Sequence, residues 1–563
     1  MTASTSSPSA RTGGRVLVDQ LRIHGAERIF CVPGESFLDV LDALHDQPAI
    51  DLVVCKHEGA AANMAEADGK LTGKPGICFV TRGPGATHAS IGVHIAQQDS
   101  TPMIMFVGQI AREHKGREAF QEVNYAAVFG TLAKWAVEID DPKRIPEVVA
   151  RAFQVATSGR PGPVVIALPE DVLDNLCETA DAAPYRVVAA APRPEDTAAL
   201  AAALAEAKRP LVIAGGANWT EATARDFAAF VKTWNLPVAC VFRRQDTFDN
   251  RDPHYVGHLS LGVSPKLAER VRGADLIIAF GTRLGDIATD GYTMLQVPRP
   301  VQKLVHIHAD NAELGRVYQA DLPIHAGVEP GAAMLASLKP AATPVWGDWT
   351  AGARAEHEAF VTVPRPHPEL TGVDMAAAMA HLNDVLPADS ILTNGAGNYT
   401  VWLHRFYAYR QPRTELAPTC GAMGYGLPAA IAAKLRSPEK TVIAFAGDGC
   451  FLMYPQEIAT AAAHGANLIV IVVNNGMYGT IRMHQERRYP GRQSGTTIPS
   501  PDFIGMARAC GAVAERVERT EDFPAALERA RAATVAEQKP ALIELVTDPL
   551  QITPAMRVTD LPA

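Results

Sequence analysis

The chain has 563 residues, of which 47% are hydrophobic and 20% charged, and its formal net charge is −9. Such a composition is typical of a globular protein, and the interspersed acidic balance argues against nucleic acid or an anionic membrane as a partner. No apolar run of about 18 residues occurs, so we expect no membrane span. At roughly 100–200 residues per domain, the length predicts three or four domains.

The first fourteen residues, MTASTSSPSARTGG, are small and polar. They predict a flexible segment over residues 1–14 and lack the apolar core of a secretory signal. The eight cysteines are scattered without a C-x-x-C pair, and several lie in apolar runs. We therefore expect a cytoplasmic protein with no disulfide framework and no zinc site.

Short apolar runs recur along the chain, each followed by a glycine-containing turn and a helix-forming stretch. This pattern is typical of buried parallel strands. We place the first domain at residues 15–180, where the runs are RIFCVPGES, DLVVCKHEG, GICFVTRGPG, TPMIMFVGQ and GPVVIALPED.

Two further domains repeat the pattern. A linker rich in Pro and Ala, Ala180–Asp196, leads to a middle domain at 190–340, and a second low-order stretch, Ser337–Trp349, leads towards a third domain at 365–553. The middle runs are PLVIAGG, LPVACVF, ADLIIAFGTR and KLVHIHAD, and the last are SILTNGAGN, KTVIAFAGDG, LIVIVVNNG and ALIELVTD. The predicted fold class is α/β, with three doubly wound parallel-sheet domains.

Two strand ends in the third domain carry polar motifs. Gly447-Asp448-Gly449-Cys450 directly follows KTVIAFA, and Asn474-Asn475-Gly476 directly follows LIVIVV. Ligands of open parallel sheets bind at the carboxyl ends of the strands, and carboxylate and amide oxygens suit Mg²⁺. Two ordinary strand-end turns are the alternative, because Gly, Asp and Asn are common there.

The paired motifs resemble the signature of thiamine-diphosphate enzymes, in which GDG is followed one helix and one strand later by NN. The sequence most resembles that of acetolactate synthase large (catalytic) subunits, and the resemblance extends over Arg15 to Asp548. The resemblance implies domains that bind the pyrimidine and the diphosphate at the two ends of the chain. It implies Mg²⁺ held by Asp448, Asn475 and the carbonyl of Met477, with Gly447, Gly449 and Cys450 beside the diphosphate.

A carboxylate in the first domain has an implied catalytic role. Glu58 lies in HEGAAANMAEADGKLTGKPG, which resembles the segment that carries the activating glutamate in acetolactate synthases. There the carboxylate bonds to the aminopyrimidine and helps the cofactor lose its reactive proton. Taken alone, a Glu in a first helical turn is ordinary helix-dipole chemistry.

The resemblance implies two further cofactor segments. Gly421 and Met423 lie in TCGAMGYGLP, where the Gly carbonyl would accept from the aminopyrimidine and the Met would separate the two rings. Gly397 and Asn398 lie in NGAGNYT, which would approach the diphosphate. Here acetolactate synthases usually carry Gln-His, and Cys450 stands at a place where Ser is common.

Substrate residues are less well indicated. The Ala-Phe-Gln-Glu core matches acetolactate synthases, which implies that Phe120 and Gln121 line the substrate entrance; loop packing is the alternative. Glu35 stands where those enzymes have Gly, and pyruvate decarboxylases have an acid there. It is either a proton donor, which would favour aldehyde release, or a cap for the following helix. His484 replaces the Trp that selects the second oxo acid in acetolactate synthases. The nearby Arg482, Arg487, Arg488 and Arg492 form a basic stretch that we interpret as a solvated surface rather than an anion site.

The middle domain leaves FAD open as a cofactor. Gly281-Thr282-Arg283 resembles a flavin-contact region, but LGDIATDGY replaces the segment that usually follows, which weighs against flavin.

These observations predict a transferase or lyase that uses thiamine diphosphate and Mg²⁺ on a 2-oxo acid or aldehyde, namely an acetolactate synthase-like carboligase. The alternatives are a 2-oxo acid decarboxylase or a 2-hydroxyacyl-CoA lyase, and outside the class a non-catalytic paralogue that only binds the cofactor. A nicotinamide dehydrogenase is disfavoured, since no complete G-x-G-x-x-G with a following acid occurs. The resemblance also implies a homodimer or homotetramer whose active site lies at the subunit interface.

Overall fold

The computed structural model describes residues 10–558. They form two compact units. The first contains the residues up to Val188 together with Ile431–Arg436 and Ala459–His464, and the second contains the rest. Within the described residues, no helix is both long enough and apolar enough to cross a lipid bilayer.

The N-terminal domain is one parallel sheet with helices on its faces. Its strands are β1 (Arg11–Thr12), β2 (Arg28–Cys31), β3 (Asp51–Val54), β4 (Gly76–Val80), β5 (Met103–Gln109), β6 (Trp135–Glu138), β7 (Pro163–Pro169) and β8 (Leu176–Cys177). Its helices are α1 (Gly13–Ile23), α2 (Leu38–His45), α3 (Glu58–Thr72), α4 (Pro84–Asp99), α5 (Tyr125–Phe129), α6 (Ile145–Thr157) and α7 (Glu170–Asp174). The sheet order is β3-β2-β4-β5-β7-β6, and β1 pairs antiparallel with β8.

The middle domain is a second parallel sheet. Its strands are β9 (Pro210–Ala214), β10 (Val238–Val241), β11 (Tyr255–Leu259), β12 (Leu276–Phe280), β13 (Lys303–His308) and β14 (Leu322–His325). Its helices are α8 (Pro194–Glu206), α9 (Glu221–Trp234), α10 (Pro265–Gly273), α11 (Val328–Ser337) and α12 (Gly347–Val361). The order β11-β10-β9-β12-β13-β14 is the one that dinucleotide-binding sheets use.

The C-terminal domain is a third parallel sheet. Its strands are β15 (Ile391–Asn394), β16 (Glu415–Leu416), β17 (Val442–Gly447), β18 (Ile469–Asn474), β19 (Val513–Val517) and β20 (Ala541–Val546), followed by the hairpin β21 (Gln551–Thr553) and β22 (Met556–Arg557). Its helices are α13 (Met375–Val385), α14 (Tyr399–Phe406), α15 (Gly426–Arg436), α16 (Asp448–Phe451), α17 (Glu457–Ala463), α18 (Gly479–Arg488), α19 (Phe503–Ala509) and α20 (Phe523–Ala532). The order β16-β15-β17-β18-β20-β19 repeats that of the N-terminal sheet.

The predicted fold class is confirmed, because each of the three sheets has six parallel strands. The apolar runs named from the sequence all form strands, and most of these are interior. Five edge strands were not predicted: β6, β11, β14, β16 and β19. They are short or carry polar residues, so they lack the continuous apolar pattern of an interior strand.

The start of the chain differs from the prediction. Residues 1–9 of the predicted flexible segment 1–14 lie outside the described residues, but Arg11–Thr12 form β1 and α1 begins at Gly13. The Thr12 side chain caps α1 by accepting a hydrogen bond from Arg15 N at 3.3 Å. The sequence contains a helix-start signal at this place, a capping Thr followed by an apolar helical stretch. The prediction of flexibility relied instead on the small, polar composition of residues 1–14.

A buried polar network joins the middle and C-terminal domains within the second unit. Glu415 Oε2 accepts from Gln245 N at 2.6 Å, and Asp246 Oδ2 accepts from Thr414 N at 3.0 Å. Burial, together with the nearby Asp246 carboxylate, raises the pKa of Glu415 to about 8. Near neutral pH this carboxyl is therefore largely protonated.

Glu415→Gln should make the stability less sensitive to pH. A carboxyl group whose pKa is higher in the folded than in the unfolded state lowers the free energy of unfolding as pH rises between the two pKa values. Over that range only the unfolded state has released its proton. The free energy of unfolding of the wild type should fall between about pH 5 and pH 8, and that of Glu415→Gln should fall less. Urea unfolding at several pH values measures this, with the exposed Glu528→Gln as the control. Equal slopes for all three proteins would mean that Glu415 is ionised in the fold.

Candidate active site

Two adjacent strand ends carry the predicted metal ligands. Strands β17 and β18 pair in parallel with Gly447 opposite Val473, so both leave the sheet at the same edge. Asp448 Oδ2 accepts from Gly476 N at 2.8 Å, and Asp448 Oδ1 accepts from Gly449 N at 2.7 Å. The structure thus brings the two motifs into direct contact.

The Asp448 carboxylate is buried, with 3% of the residue exposed. Burial raises its pKa to about 6, although the N–H groups of Gly449 and Gly476 oppose the shift. Among residues 10–558, no cationic side chain is bonded to it. A buried carboxylate needs a compensating positive charge, and an oxygen-preferring cation supplies one.

Asn475 and Met477 form the turn that faces Asp448. Asn475 Oδ1 accepts from Met477 N at 3.2 Å, and Gly476 between them has φ +67°. The Met477 carbonyl accepts from Gly479 N at 3.0 Å, which leaves one lone pair of that oxygen for another partner. Helix α16 starts at Asp448 itself and spans only four residues.

Two glycine-containing loops converge on Cys450. We call residues 395–398 the first loop and residues 418–424 the second loop. Cys450 Sγ lies 3.3 Å from the Tyr399 hydroxyl and 3.2 Å from Gly424 N, and a Cβ on Gly395 would lie 2.4 Å from that sulfur. The thiol therefore fills the space between the loops.

The other two glycines of GDGC leave room for aromatic rings. A Cβ on Gly447 would lie 2.9 Å from the Tyr399 ring, and one on Gly449 would lie 2.6 Å from the Tyr478 ring. Any larger residue at either place would displace a ring that borders the strand ends.

The first loop presents Asn398 beside the metal-ligand candidates. Gly397 has φ +145°, and Asn398 follows it at the start of α14. Asn398 Oδ1 accepts from Thr480 Oγ1 at 2.8 Å. Asn398 and Asn475 both line a cavity of about 250 Å³, so the two residues border the same open space.

The second loop places Gly421 and Met423 differently. Gly421 is exposed, has φ +70°, and has no atom within 4 Å of a hypothetical Cβ. Met423 is half-buried and packs against the C-terminal core. Its position leaves a thioether partly exposed at the loop surface.

In the first unit, Glu58 opens helix α3. The preceding His57 caps the helix, because its Nδ1 accepts from Gly59 N at 2.9 Å. The Glu58 carboxylate lies 2.9 Å from His88 Nδ1, and the rings of His57 and His88 stack at 4.9 Å. Glu58 is thus held by His88 from α4. The side chain of Glu58 is 15% exposed.

Glu35 makes an ion pair instead of a helix cap. It lies in a 3₁₀ turn that precedes α2, and its side chain caps no backbone N–H. Its carboxylate accepts from Arg82 Nη2 at 2.9 Å, while Arg82 Nη1 donates to Glu170 at 3.1 Å. The side chain of Glu35 is 68% exposed, whereas Arg82 is buried. The capping alternative is therefore wrong in its hydrogen-bonded form.

The predicted pair Phe120 and Gln121 lies in a loop beside the Arg82–Gly85 turn. A Cβ on Gly83 would lie 2.8 Å from Gln121 Cβ, and Gly83 N donates to the Tyr125 hydroxyl at 2.7 Å. Phe120 is 75% exposed. Packing within its own loop, the alternative interpretation of Phe120, therefore does not explain this exposed ring.

His484 is exposed on α18. Of the basic stretch around it, Arg482 bonds to Glu486 at 2.6 Å, Arg488 stacks on Tyr489, and Arg487 and Arg492 are exposed.

Two residues of these sites, His88 and Tyr399, could not be predicted from the sequence. His88 is thirty positions from Glu58, and only the packing of α3 on α4 brings them together. The Tyr399 hydroxyl accepts from Gly395 N at 3.0 Å, and the residue is buried. Tyr399 directly follows the predicted diphosphate segment, but a Tyr in the sequence does not by itself indicate that its side chain supports such a loop.

Gly395→Ala should destabilise the C-terminal domain by about 1–3 kcal/mol, because the methyl group overlaps Cys450 Sγ. Adding Cys450→Ala should recover about 1 kcal/mol or more relative to the sum of the single changes. Denaturant unfolding of the two single variants and the double variant measures this coupling.

Gly285→Ala is the matched control, since a Cβ there meets no atom within 4 Å. A strictly additive double variant would contradict the contact between the first loop and Cys450.

Comparison with known proteins adds an independent finding. The chain matches the thiamine pyrophosphate enzyme N-terminal TPP binding domain over residues 11–128, the central domain over 197–338, and the C-terminal TPP binding domain over 395–545.

Similar proteins include the "acetolactate synthase large subunit" of Parasynechococcus marenigrum, which is 32% identical over 96% of this chain and 88% of that protein. That of Lactococcus lactis is 30% identical over 95% of this chain and 92% of its own length. A "probable acetolactate synthase large subunit" of Methanocaldococcus jannaschii is 30% identical over 96% and 93%. The chain therefore belongs to the thiamine pyrophosphate enzyme family, as a homologue of acetolactate synthase large subunits.

Proposed function

We propose that this protein is a carboligase dependent on thiamine diphosphate and Mg²⁺ that acts on 2-oxo acids, as acetolactate synthases do. The observation that carries the proposal is the buried Asp448 carboxylate bonded to the turn that contains Asn475. A buried anion at a parallel strand end, facing an amide oxygen, suits a metal-bridged diphosphate.

The donor chemistry fits the cation. Asp448 would supply a carboxylate oxygen, Asn475 its amide oxygen, and Met477 its remaining carbonyl lone pair. Mg²⁺ takes the rest of its six oxygens from phosphate and water. Because the pKa of Asp448 is raised by burial, a nearby positive charge would favour its ionised form.

The loops fit the organic part of the cofactor. Gly397 and Asn398 would approach the diphosphate together with the backbone of Gly447, Gly449 and Cys450. Gly421 would accept from the aminopyrimidine, and Met423 would lie between the two rings. The half-buried thioether of Met423 and the open space at Gly421 support these assignments.

Glu58 is the proposed activating carboxylate. When bound, thiamine diphosphate would supply a nucleophilic carbon and an electron sink for the electron pair left by decarboxylation. Glu58 would hold a proton at the pyrimidine ring, and His88, 2.9 Å away, would orient the carboxylate. Phe120, Gln121 and His484 would border the substrate, and the exposed ring of Phe120 supports a contact outside its own loop.

The Glu35–Arg82 pair supports ligation over simple decarboxylation. A donor of protons must present an acidic O–H to the reacting carbon. Glu35 instead accepts a hydrogen bond from Arg82 Nη2 at 2.9 Å, so one oxygen of its carboxyl group is already engaged. Because Glu35 is also exposed, a 2-oxo acid decarboxylase remains the second candidate function.

We propose a homodimer or homotetramer in which Glu58 of one subunit works with the partner subunit's Asp448. None of the eight cysteines of the described residues forms a disulfide, and six of them are buried, which supports a reducing compartment such as the cytoplasm.

We propose that the enzyme works without flavin. The strand order provides a crevice between β9 and β12. There a Cβ on Gly216 would lie 2.0 Å from the Gly281 carbonyl, so the two turns touch. The buried Trp219 indole also donates to Gly215 O at 2.9 Å and fills the end of β9.

Glu58→Gln should reduce turnover by about 10²–10⁴-fold, because the amide cannot hold the proton that a carboxylate holds. Thiamine diphosphate binding should persist, since Gln keeps the shape and one acceptor oxygen. Steady-state turnover and calorimetric titration separate the two effects.

Glu269→Gln, an exposed change in the middle domain, is the matched control. Undiminished turnover in Glu58→Gln would remove this residue from the mechanism.

Pyruvate with thiamine diphosphate and Mg²⁺ should yield acetolactate as the principal product. Chromatography of the products tests this, and the wild type without Mg²⁺ is the blank. Acetaldehyde as the principal product would favour the decarboxylase. If neither forms from pyruvate, larger 2-oxo acids and 2-hydroxyacyl-CoA substrates are the next panel.

A further inference from the structure

We propose that Arg243, a middle-domain residue, is a positioning residue that sets the spacing of the two cofactor loops. Arg243 Nη2 donates to the Gly395 carbonyl at 2.7 Å, and Nη1 donates to the Pro418 carbonyl. Gly395 starts the first loop and Pro418 starts the second. This inference rests on the proposed function, because it assumes that both loops bind thiamine diphosphate.

The guanidinium is held rigidly. Arg243 is 3% exposed, and its guanidinium carbon Cζ lies 4.7 Å from the centre of the Phe242 ring. Its backbone has φ +58°, a left-handed conformation that is unfavourable for a residue with a side chain. Such strain persists only where surrounding contacts hold it, and it concentrates at functional sites.

The turn that carries Arg243 is itself fastened to the C-terminal domain. Gln245 N donates to Glu415, and Asp246 accepts from the N–H groups of Thr414 and Glu415. These bonds fix the turn against β16, whose Glu415 lies three residues before Pro418. The guanidinium then reaches the two loops from a rigid base.

Two carbonyls on separate loops require a forked donor. The guanidinium is planar and presents several N–H groups in fixed directions, whereas an ammonium is a single point donor on a flexible stem. Lysine at this position would keep a positive charge near Glu415. It could not hold both carbonyls at one fixed separation.

The chain offers a matched comparison. Arg354 Nη1 donates to three carbonyls, those of Asn250, Asp252 and Tyr255, at 3.0–3.1 Å. It is partly buried in the middle domain and bonds to neither cofactor loop. Arg354→Lys therefore makes the same side-chain change at another carbonyl-binding arginine without altering the loops.

The test is calorimetric titration of thiamine diphosphate, in the presence of Mg²⁺, into the full-length protein stripped of cofactor. Arg243→Lys should weaken binding by about 10- to 100-fold, the usual effect of losing a residue that orients ligand-binding groups. Arg354→Lys should bind like the wild type. Turnover of Arg243→Lys should return towards the wild-type value at saturating cofactor, since no reacting group is changed.

Melting temperatures without cofactor separate positioning from simple destabilisation. Arg243→Lys should melt within the range set by the wild type and Arg354→Lys while its affinity falls. Unchanged affinity, or an equal loss in both variants, would overturn the positioning role. A wild type that itself fails to bind thiamine diphosphate would overturn the proposed function, which is a distinct result.

If Arg243→Lys does not fold, Arg243→Gln takes its place. A folded Arg243→Gln protein with wild-type affinity would equally overturn the proposal.

Discussion

The parallel register between β17 and β18 is the constraint on which the candidate site depends. With Gly447 opposite Val473, the next residues on both strands must leave the sheet side by side. Asp448 can then accept from Gly476 N, and this bond fixes where Asn475 and Met477 lie. A shift of one residue would turn the Asp448 side chain to the other face of the sheet and separate the two motifs.

Interior strands and their polar ends could be predicted because both leave local signals. A strand buried on both faces is a continuous apolar run, and a ligand-binding end is marked by Gly, Asp or Asn directly after it. The edge strand β16, only Glu415–Leu416, has no such run. It forms because its backbone pairs with β15 and because Asp246 and Gln245 bond to it, none of which is local information.

The contacts that hold the candidate residues were beyond sequence reasoning for the same reason. Glu58 was predicted from its motif, but its partner His88 comes from another helix. Glu35 was predicted as a proton donor or a helix cap, and its partner Arg82 lies 47 residues away in the sequence. Arg243 was not predicted at all, since neither its left-handed backbone nor its reach to Gly395 follows from the residues around it. Motifs specify the chemistry, whereas tertiary packing specifies how it is held.

The place of β20 in the C-terminal sheet has a consequence for biosynthesis. β20 (Ala541–Val546) lies between β18 and β19, although it is the last of the six strands to be made. Until the ribosome has released it, one edge of β18 lacks its permanent neighbour and exposes the apolar run Ile469–Val473. Elongation takes place at about 5–20 residues per second, so this edge stays open for seconds in every nascent chain. A chain truncated just before Ala541 would retain every candidate ligand of the metal and yet keep that edge open, where other strands could pair with it.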